Sequence, residues 1–190
     1  FAEEGSDEDA GLIETIRDAV SVHSIKKDAY ARQLDGQAMA TYTLYDHFVQ
    51  TYGEPHTPRF RAARRAFTES LAGYAIVTYL LQIKDRHNGN ILVDATGHLI
   101  HIDFGFMLGI SPGGVGFEAA PFKLPKDYIE ILGGMDSDGF RAFQQLMRQG
   151  FRDVRKHAER FIMLVELMQK DSKLPCFALG DLATANLRRS

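Results

Sequence analysis

The sequence predicts a mainly helical α+β chain, a single lobe folded around one small β-hairpin. Apolar residues recur at helical spacing over most of its length, most plainly after Pro58. One short stretch, residues 91–102, departs from that spacing and is rich in β-branched residues around a Gly. At 190 residues, 45% hydrophobic and 25% charged, the chain can bury one sizeable core.

Residues 1–10 carry Glu3, Glu4, Asp7, Glu8 and Asp9 and read as an acidic, flexible, solvated segment, with residues 11–190 forming the folded lobe. Helical spacing marks residues 39–52 and then 58–83, where Phe60, Ala63, Phe67, Leu71, Tyr74, Thr78 and Leu81 make one core stripe. Two short strands follow, Ile91-Leu92-Val93-Asp94 and His98-Leu99-Ile100-His101-Ile102. Ala95-Thr96-Gly97 joins them, and its Gly permits a tight reversal. Residues 125–132, 138–149 and 152–170 read as further helices, the last with Phe161, Leu164, Val165 and Met168 as its apolar face.

The chemistry is concentrated where the long helix meets the hairpin, in Asp85-Arg86-His87-Asn88-Gly89-Asn90 and then Asp103-Phe104-Gly105. In protein kinases an Asn stands five residues after the catalytic-loop Asp, and a D-F-G Asp follows on the next hairpin. Here Asp85 plus five is Asn90, and Asp103 comes thirteen residues after Asn90. A triphosphate is highly anionic, so oxygen-donating side chains must hold Mg²⁺ against it while another polar group orients the attacking hydroxyl. Asn90 and Asp103 suit the metal and Asp85 suits the hydroxyl, which makes ATP and Mg²⁺ the implied cofactors. A strand-turn-strand segment flanked by Asp, Asn and His is common in proteins that do no catalysis; the combined spacing is what sets this one apart.

The order of the loop residues narrows the class. Protein kinases read His-Arg-Asp, whereas Asp85-Arg86-His87-Asn88 resembles the phosphatidylinositol 3- and 4-kinase superfamily. The large protein kinases of that superfamily usually carry Pro after the His, and Asn88 favours a lipid substrate instead. Gly11-Leu12-Ile13-Glu14-Thr15-Ile16, Ala19-Val20-Ser21-Val22-His23-Ser24-Ile25-Lys26-Lys27, Tyr79-Leu80-Leu81-Gln82-Ile83-Lys84 leading into the loop, and Leu174-Pro175-Cys176-Phe177 are similar to type III phosphatidylinositol 4-kinases. Gly116-Phe117-Glu118, Phe122-Lys123-Leu124 and Gly133-Gly134-Met135-Asp136 lean towards the beta-like members.

The resemblance implies the C-terminal lobe of a protein-kinase-like fold, transferring the ATP γ-phosphate to the 4-hydroxyl of phosphatidylinositol on a cytosolic membrane face. Position 4 comes from the likeness alone, since no carboxylate spacing distinguishes it from position 3. Within the loop, His87 either takes the substrate proton or stabilises the γ-phosphate, and Asp85 is base or orienter. Arg86 either pairs with a loop carboxylate or belongs to the scaffold, and Lys84 either touches phosphate or is solvated. A glycine-rich loop and a strand Lys, which a complete site needs, do not precede Gly11, so an N-lobe is an expected partner. A recruiting small GTPase or adaptor and a Golgi-type membrane are likewise implied.

After Asp103 the chain offers the segment expected to choose the substrate, with Phe104, Gly105, Ser111, Gly116 and Lys123 as its candidates. It holds no Lys or Arg before Lys123, which fits a headgroup without extra phosphates, since each phosphate wants charge-assisted partners. Phe106, Met107, Leu108 and Ile110 are expected to pack beneath it rather than meet lipid. Its glycines do not form a phosphate cradle of the G-x-x-x-x-G-K-[ST] kind. His98 and His101 make a poor zinc pair, because three residues apart on a strand they face opposite ways.

A formal charge of -3 argues against a nucleic-acid binder. The single Cys176 cannot form an intrachain disulfide, no signal-peptide pattern is present, and no stretch approaches the ~18 apolar residues of a membrane span, so a cytosolic, at most peripheral chain is expected. Arg59, Arg61, Arg64 and Arg65, and later Arg148, Arg152, Arg155, Lys156 and Arg160, are two clusters that could contact anionic lipid headgroups; the second, interleaved with Asp153 and Glu159, reads first as a solvated, salt-bridged face. The alternatives to a lipid kinase lobe are an inactive interaction module and a protein kinase of the same superfamily.

Overall fold

The computed structural model describes residues 12–33, 42–113, 120, 122–178 and 180–190. The acidic segment at residues 1–10, the start of the helix expected from residue 39, and Gly116 lie outside the described residues. The described elements are β1 (Ala19–Ser21), α1 (Val22–Gln33), α2 (Leu44–Tyr52), α3 (Pro58–Leu80), β2 (Ile91–Asp94), β3 (Leu99–His101), α4 (Lys126–Leu132), α5 (Asp138–Lys156), α6 (Ala158–Gln169), a 3-10 turn (Pro175–Phe177) and α7 (Leu182–Arg189). The mainly helical α+β class and the β2–β3 hairpin are as the sequence predicts, and β1 adds a strand that it did not.

Local chemistry sets the helix starts. Thr43 and Asp46 form a capping box at α2, with the Asp46 amide donating to Thr43 Oγ1 (3.2 Å) and the Thr43 amide to Asp46 Oδ2 (2.8 Å). Thr57 accepts the Phe60 amide at 3.2 Å and Pro58 occupies the first helical position of α3. Ser137 does the same for α5, accepting the Phe140 amide at 3.0 Å. At its other end α3 stops at Leu80 rather than Ile83. Gln82 turns to φ +50°, and the Ile83 amide folds back onto the Thr78 carbonyl at 3.0 Å.

The core is built on α3. Its Phe60, Ala63, Phe67, Leu71 and Thr78 are buried as the stripe predicts. Phe67 stands edge-on to Phe48 of α2 at 5.4 Å and to Tyr128 of α4 at 5.3 Å, so three helices meet on one ring. A second cluster gathers Leu108, Ile162, Val165, Cys176, Phe177, Ala183 and Leu187, with Met107 and Ile110 against it. Met107, Leu108 and Ile110 therefore pack as expected.

Two expectations about the later helices change. The break comes at His157, not near Gly150, so α5 runs to Lys156. Gly150 lies inside α5 because a Cβ there would stand 2.5 Å from Ile76 Cδ1 of α3; it serves a close crossing rather than a stop. On α6 the buried pair is Ile162 and Val165, whereas Phe161 (45%), Leu164 (53%) and Met168 (60%) are exposed. Among the described residues only α7 and the second cluster cover α6, on its narrow Ile162–Val165 side.

β1, β2 and β3 form an antiparallel sheet in that order, with Val20 opposite Val93 and Leu92 opposite Ile100. The hairpin turn is held by Asp94, whose Oδ1 accepts the amides of Thr96 (2.8 Å) and His98 (2.9 Å). Burial alone would raise the Asp94 carboxyl, but the Thr96 hydroxyl and these amides outweigh it and hold the group below its usual range. Gly97 at φ +97° rests on α3, where a Cβ would come within 2.8 Å of the Ala63 carbonyl oxygen. The sheet is thereby pressed to the helix that carries the loop.

Candidate active site

Past Leu80 the chain forms a loop tied on three sides. The Lys84 amide donates to the Phe106 carbonyl (2.9 Å) and the Leu108 amide to the Leu81 carbonyl (2.8 Å), which staples the loop base to the segment after Asp103. The His23 amide, at the start of α1, donates to the Asn88 carbonyl at 2.9 Å. Within the loop the His87 amide meets the Asp85 carbonyl (3.1 Å) and the Asn90 amide the His87 carbonyl (2.9 Å). Asp85 and Asp103 both adopt left-handed backbone, at φ +60° and +58°, a region Asp tolerates better than most residues.

Asn90 joins the two halves. Its side-chain Nδ2 donates to the Asp85 carbonyl at 3.1 Å, and its own carbonyl accepts the Ile102 amide at 3.0 Å, one residue before Asp103. Asn90 is buried, at 7% exposure, and with Nδ2 committed inward its Oδ1 is the end left for a ligand. The Gly105 amide donates to Asp103 Oδ1 at 3.3 Å. An amide oxygen and a carboxylate are hard donors of the kind Mg²⁺ prefers.

The orientation of His87 bears on its chemistry. The Gly89 amide donates to His87 Nδ1 at 3.0 Å, so the neutral ring carries its proton on Nε2, which lies 3.9 Å from Asp85 Oδ2. A Cβ at Gly89 would stand 2.9 Å from His87 Cε1, so the ring keeps this position only beside a residue without one.

Of the two readings of Arg86, a loop carboxylate partner or a place in the scaffold, three backbone-carbonyl bonds support the second: Nε donates to the Lys84 carbonyl (2.9 Å), Nη1 to that of Ile102 (2.7 Å) and Nη2 to that of Asp103. Its guanidinium carbon also lies 5.7 Å from the centre of the Phe104 ring. Arg86 lines a cavity of about 460 Å³ together with Lys84, Asn88, His101, Lys123 and Tyr128. Asp85, His87, Asn90 and Asp103 are not part of that lining, so alternate residues of the loop divide between two sides. Lys84 and Lys123 share the cavity; Ser111 follows the packed Ile110.

Sequence reasoning sets His101 aside as a poor zinc ligand and expects a packed or hydrogen-bonded hairpin histidine. Its ring stacks on Tyr74 at 4.5 Å with 8° between planes, and its buried Nδ1 has no hydrogen-bond partner among the described residues. Burial first, and then the nearby Arg86 guanidinium, push it down to about 4. The signal was available in the strand period, since His101 shares a face with fully buried Leu99. His98 instead stays in the turn, with Nδ1 3.1 Å from Asp94 Oδ2.

Comparison with known proteins agrees with this arrangement. The profile of the family Phosphatidylinositol 3- and 4-kinase matches residues 6–178. The chain is 50% identical over 182 residues to Phosphatidylinositol 4-kinase PIK1alpha of Candida albicans, covering 94% of this chain and 19% of that protein. It is 47% identical over 183 residues to Phosphatidylinositol 4-kinase PIK1 of Saccharomyces cerevisiae (94% and 17%), and 48% over 180 residues to Phosphatidylinositol 4-kinase beta of Sorex araneus (95% and 21%). The chain thus spans about a fifth of the length of the curated relatives it matches.

Proposed function

The chain belongs to the phosphatidylinositol 3- and 4-kinase family, and on that footing we propose that residues 11–190 are the C-terminal catalytic lobe of a phosphatidylinositol 4-kinase. It would transfer the γ-phosphate of ATP to the 4-hydroxyl of phosphatidylinositol. The observation that carries this reading is the double tie at Asn90, which brings the Asp85 loop and the Asp103 segment to one place. The names of the relatives support the lipid and the position on the ring.

Asn90 Oδ1 and the Asp103 carboxylate would hold Mg²⁺, which when bound supplies positive charge against the triphosphate. The other roles follow from donor and acceptor identity. Asp85, an acceptor when ionised, receives the hydrogen bond of the attacking hydroxyl and orients it. His87, with its proton on Nε2, donates to phosphate oxygen rather than serving as the base. Lys84, in the cavity beside Lys123, contributes positive charge that a phosphate could meet there, and Ser111, Gly116 and Lys123 belong to the substrate segment. The work is positioning and electrostatics, as phosphoryl transfer requires.

A peripheral place on a cytosolic, Golgi-type membrane, reached through a recruiting small GTPase or adaptor, extends the same reading. Among the described residues no helix is long and apolar enough to cross a membrane.

The test is to exchange the 183 matched residues of the Saccharomyces cerevisiae kinase for this chain and measure Mg²⁺-dependent transfer from ATP to phosphatidylinositol in mixed micelles. Chromatography of the deacylated product should show a 4-phosphate. A 3-phosphate would refute the assignment of position. Phosphorylation of peptide without lipid would make the chain a protein kinase, and ATP binding without transfer an interaction module.

A further inference from the structure

We infer that Arg86 is a positioning residue whose guanidinium locks the backbone of Asp103 to the Asp85 loop and so sets where the Asp103 carboxylate stands. The inference deepens the lipid-kinase reading and rests on it for the role of Asp103. Its basis is the set of acceptors. The sheet ladder ends at His101, and the next two carbonyls, Ile102 and Asp103, are both taken by Arg86, through Nη1 at 2.7 Å and through Nη2. Nε takes the Lys84 carbonyl at 2.9 Å, on the other segment.

One planar group thus spans the base of the catalytic loop and the two residues that lead into Phe104. The fork geometry matters. Its donors are fixed relative to one another, so holding Lys84 in place holds Ile102 and Asp103 in place too. Asp103 sits at φ +58°, in the left-handed region, and the Arg86 bonds fall on that residue and the one before it. Phe104, with its ring beside the guanidinium, closes one side. Arg86 lines the cavity that Asp85, His87, Asn90 and Asp103 do not, so its contribution to transfer passes through Asp103 rather than through contact with the reacting atoms.

A lysine keeps the charge but offers one nitrogen on a flexible stem, which cannot serve three carbonyls on two segments at once. That separates a fork from a simple charge. The experiment is hydrogen exchange on the full chain, comparing it with Arg86→Lys and Arg86→Ala. Two amides report the position of Asp103: Ile102, which donates to Asn90 O, and Gly105, which donates to Asp103 Oδ1. Both are expected to exchange at least ~10-fold faster in both variants while the buried amides of α3 keep their rates, as expected when opening is local.

In the yeast chimaera the same variants should lower kcat and raise the Mg²⁺ needed for half-maximal rate, leaving the KM for phosphatidylinositol unchanged. Unchanged exchange at Ile102 and Gly105 would overturn the inference. So would restoration by Arg86→Lys, or equal acceleration throughout α3. The exchange readout needs no transfer activity, so failure of the lock and failure of the kinase reading are separate results.

Discussion

Acidification should destabilise this chain through His101, and replacing that residue should remove the effect. The ring is held neutral at about 4 against an ordinary value near 6.5, burial being the larger cause and Arg86 the second. Between those two pH values the unfolded chain binds a proton that the folded chain refuses, so stability falls as pH drops from about 6.5 towards 4 and is fully present above 6.5. The full difference corresponds to roughly 3 kcal/mol at about 1.36 kcal/mol per unit. The ring keeps some solvent contact, which reduces the expected effect to about 1–2 kcal/mol. His101→Phe preserves the stack on Tyr74 and removes both the proton site and the unpartnered Nδ1. Urea unfolding of both proteins between pH 4.5 and 7.5 on the order-of-magnitude scale above provides the assay. Burial also lowers His47, which adds the same sign to both proteins and cancels in the comparison. The variant should lose about 1–2 kcal/mol less than the parent on acidification. Parallel curves would refute the reasoning.

Three further substitutions probe the parts that position the site. Gly89→Ala puts a Cβ 2.9 Å from His87 Cε1 and should lower kcat about 10-fold or more with little change in thermal midpoint, read by steady-state kinetics beside calorimetry. Gly97→Ala must accept φ +97° and a 2.8 Å approach to the Ala63 carbonyl oxygen, so unfolding in urea should show a loss of about 2–4 kcal/mol. Phe67→Ala empties the fully buried junction between Phe48 and Tyr128 and should lose about 3–5 kcal/mol in the same assay.

What the sequence disclosed follows from how many residues share a signal. α3 was legible because its stripe runs over 23 residues and its start carries Thr57 and Pro58. The β2–β3 hairpin was legible from its β-branched runs and Gly97. β1 has three residues and α1 buries only Val22 and Ile25 among its described side chains, too few to show a period. α7 and the 3-10 turn are short for the same reason. The α6 error has another origin: four apolar residues at helical spacing say that a face exists, not what covers it.

At the site, spacing alone placed Asp85, Asn90 and Asp103 together, because a tight hairpin leaves the chain few other paths. For Arg86 the sequence left two readings open, a loop carboxylate or the scaffold. Its main-chain carbonyl partners decide for neither in advance, because a carbonyl has no letter in the sequence. The tautomer of His87 depends on the Gly89 amide in the same way.

The most direct measurement compares ³²P transfer from ATP to phosphatidylinositol by the chimaera carrying this chain with the same chimaera bearing Asp103→Ala or Asn90→Ala, each checked for unchanged folding. The account predicts lipid phosphorylation by the first and a loss of at least ~10³-fold in each variant, since positioning and metal binding supply nearly all of the catalysis. Transfer that survives in both variants, or a folded, ATP-binding chimaera that never labels the lipid, would contradict it.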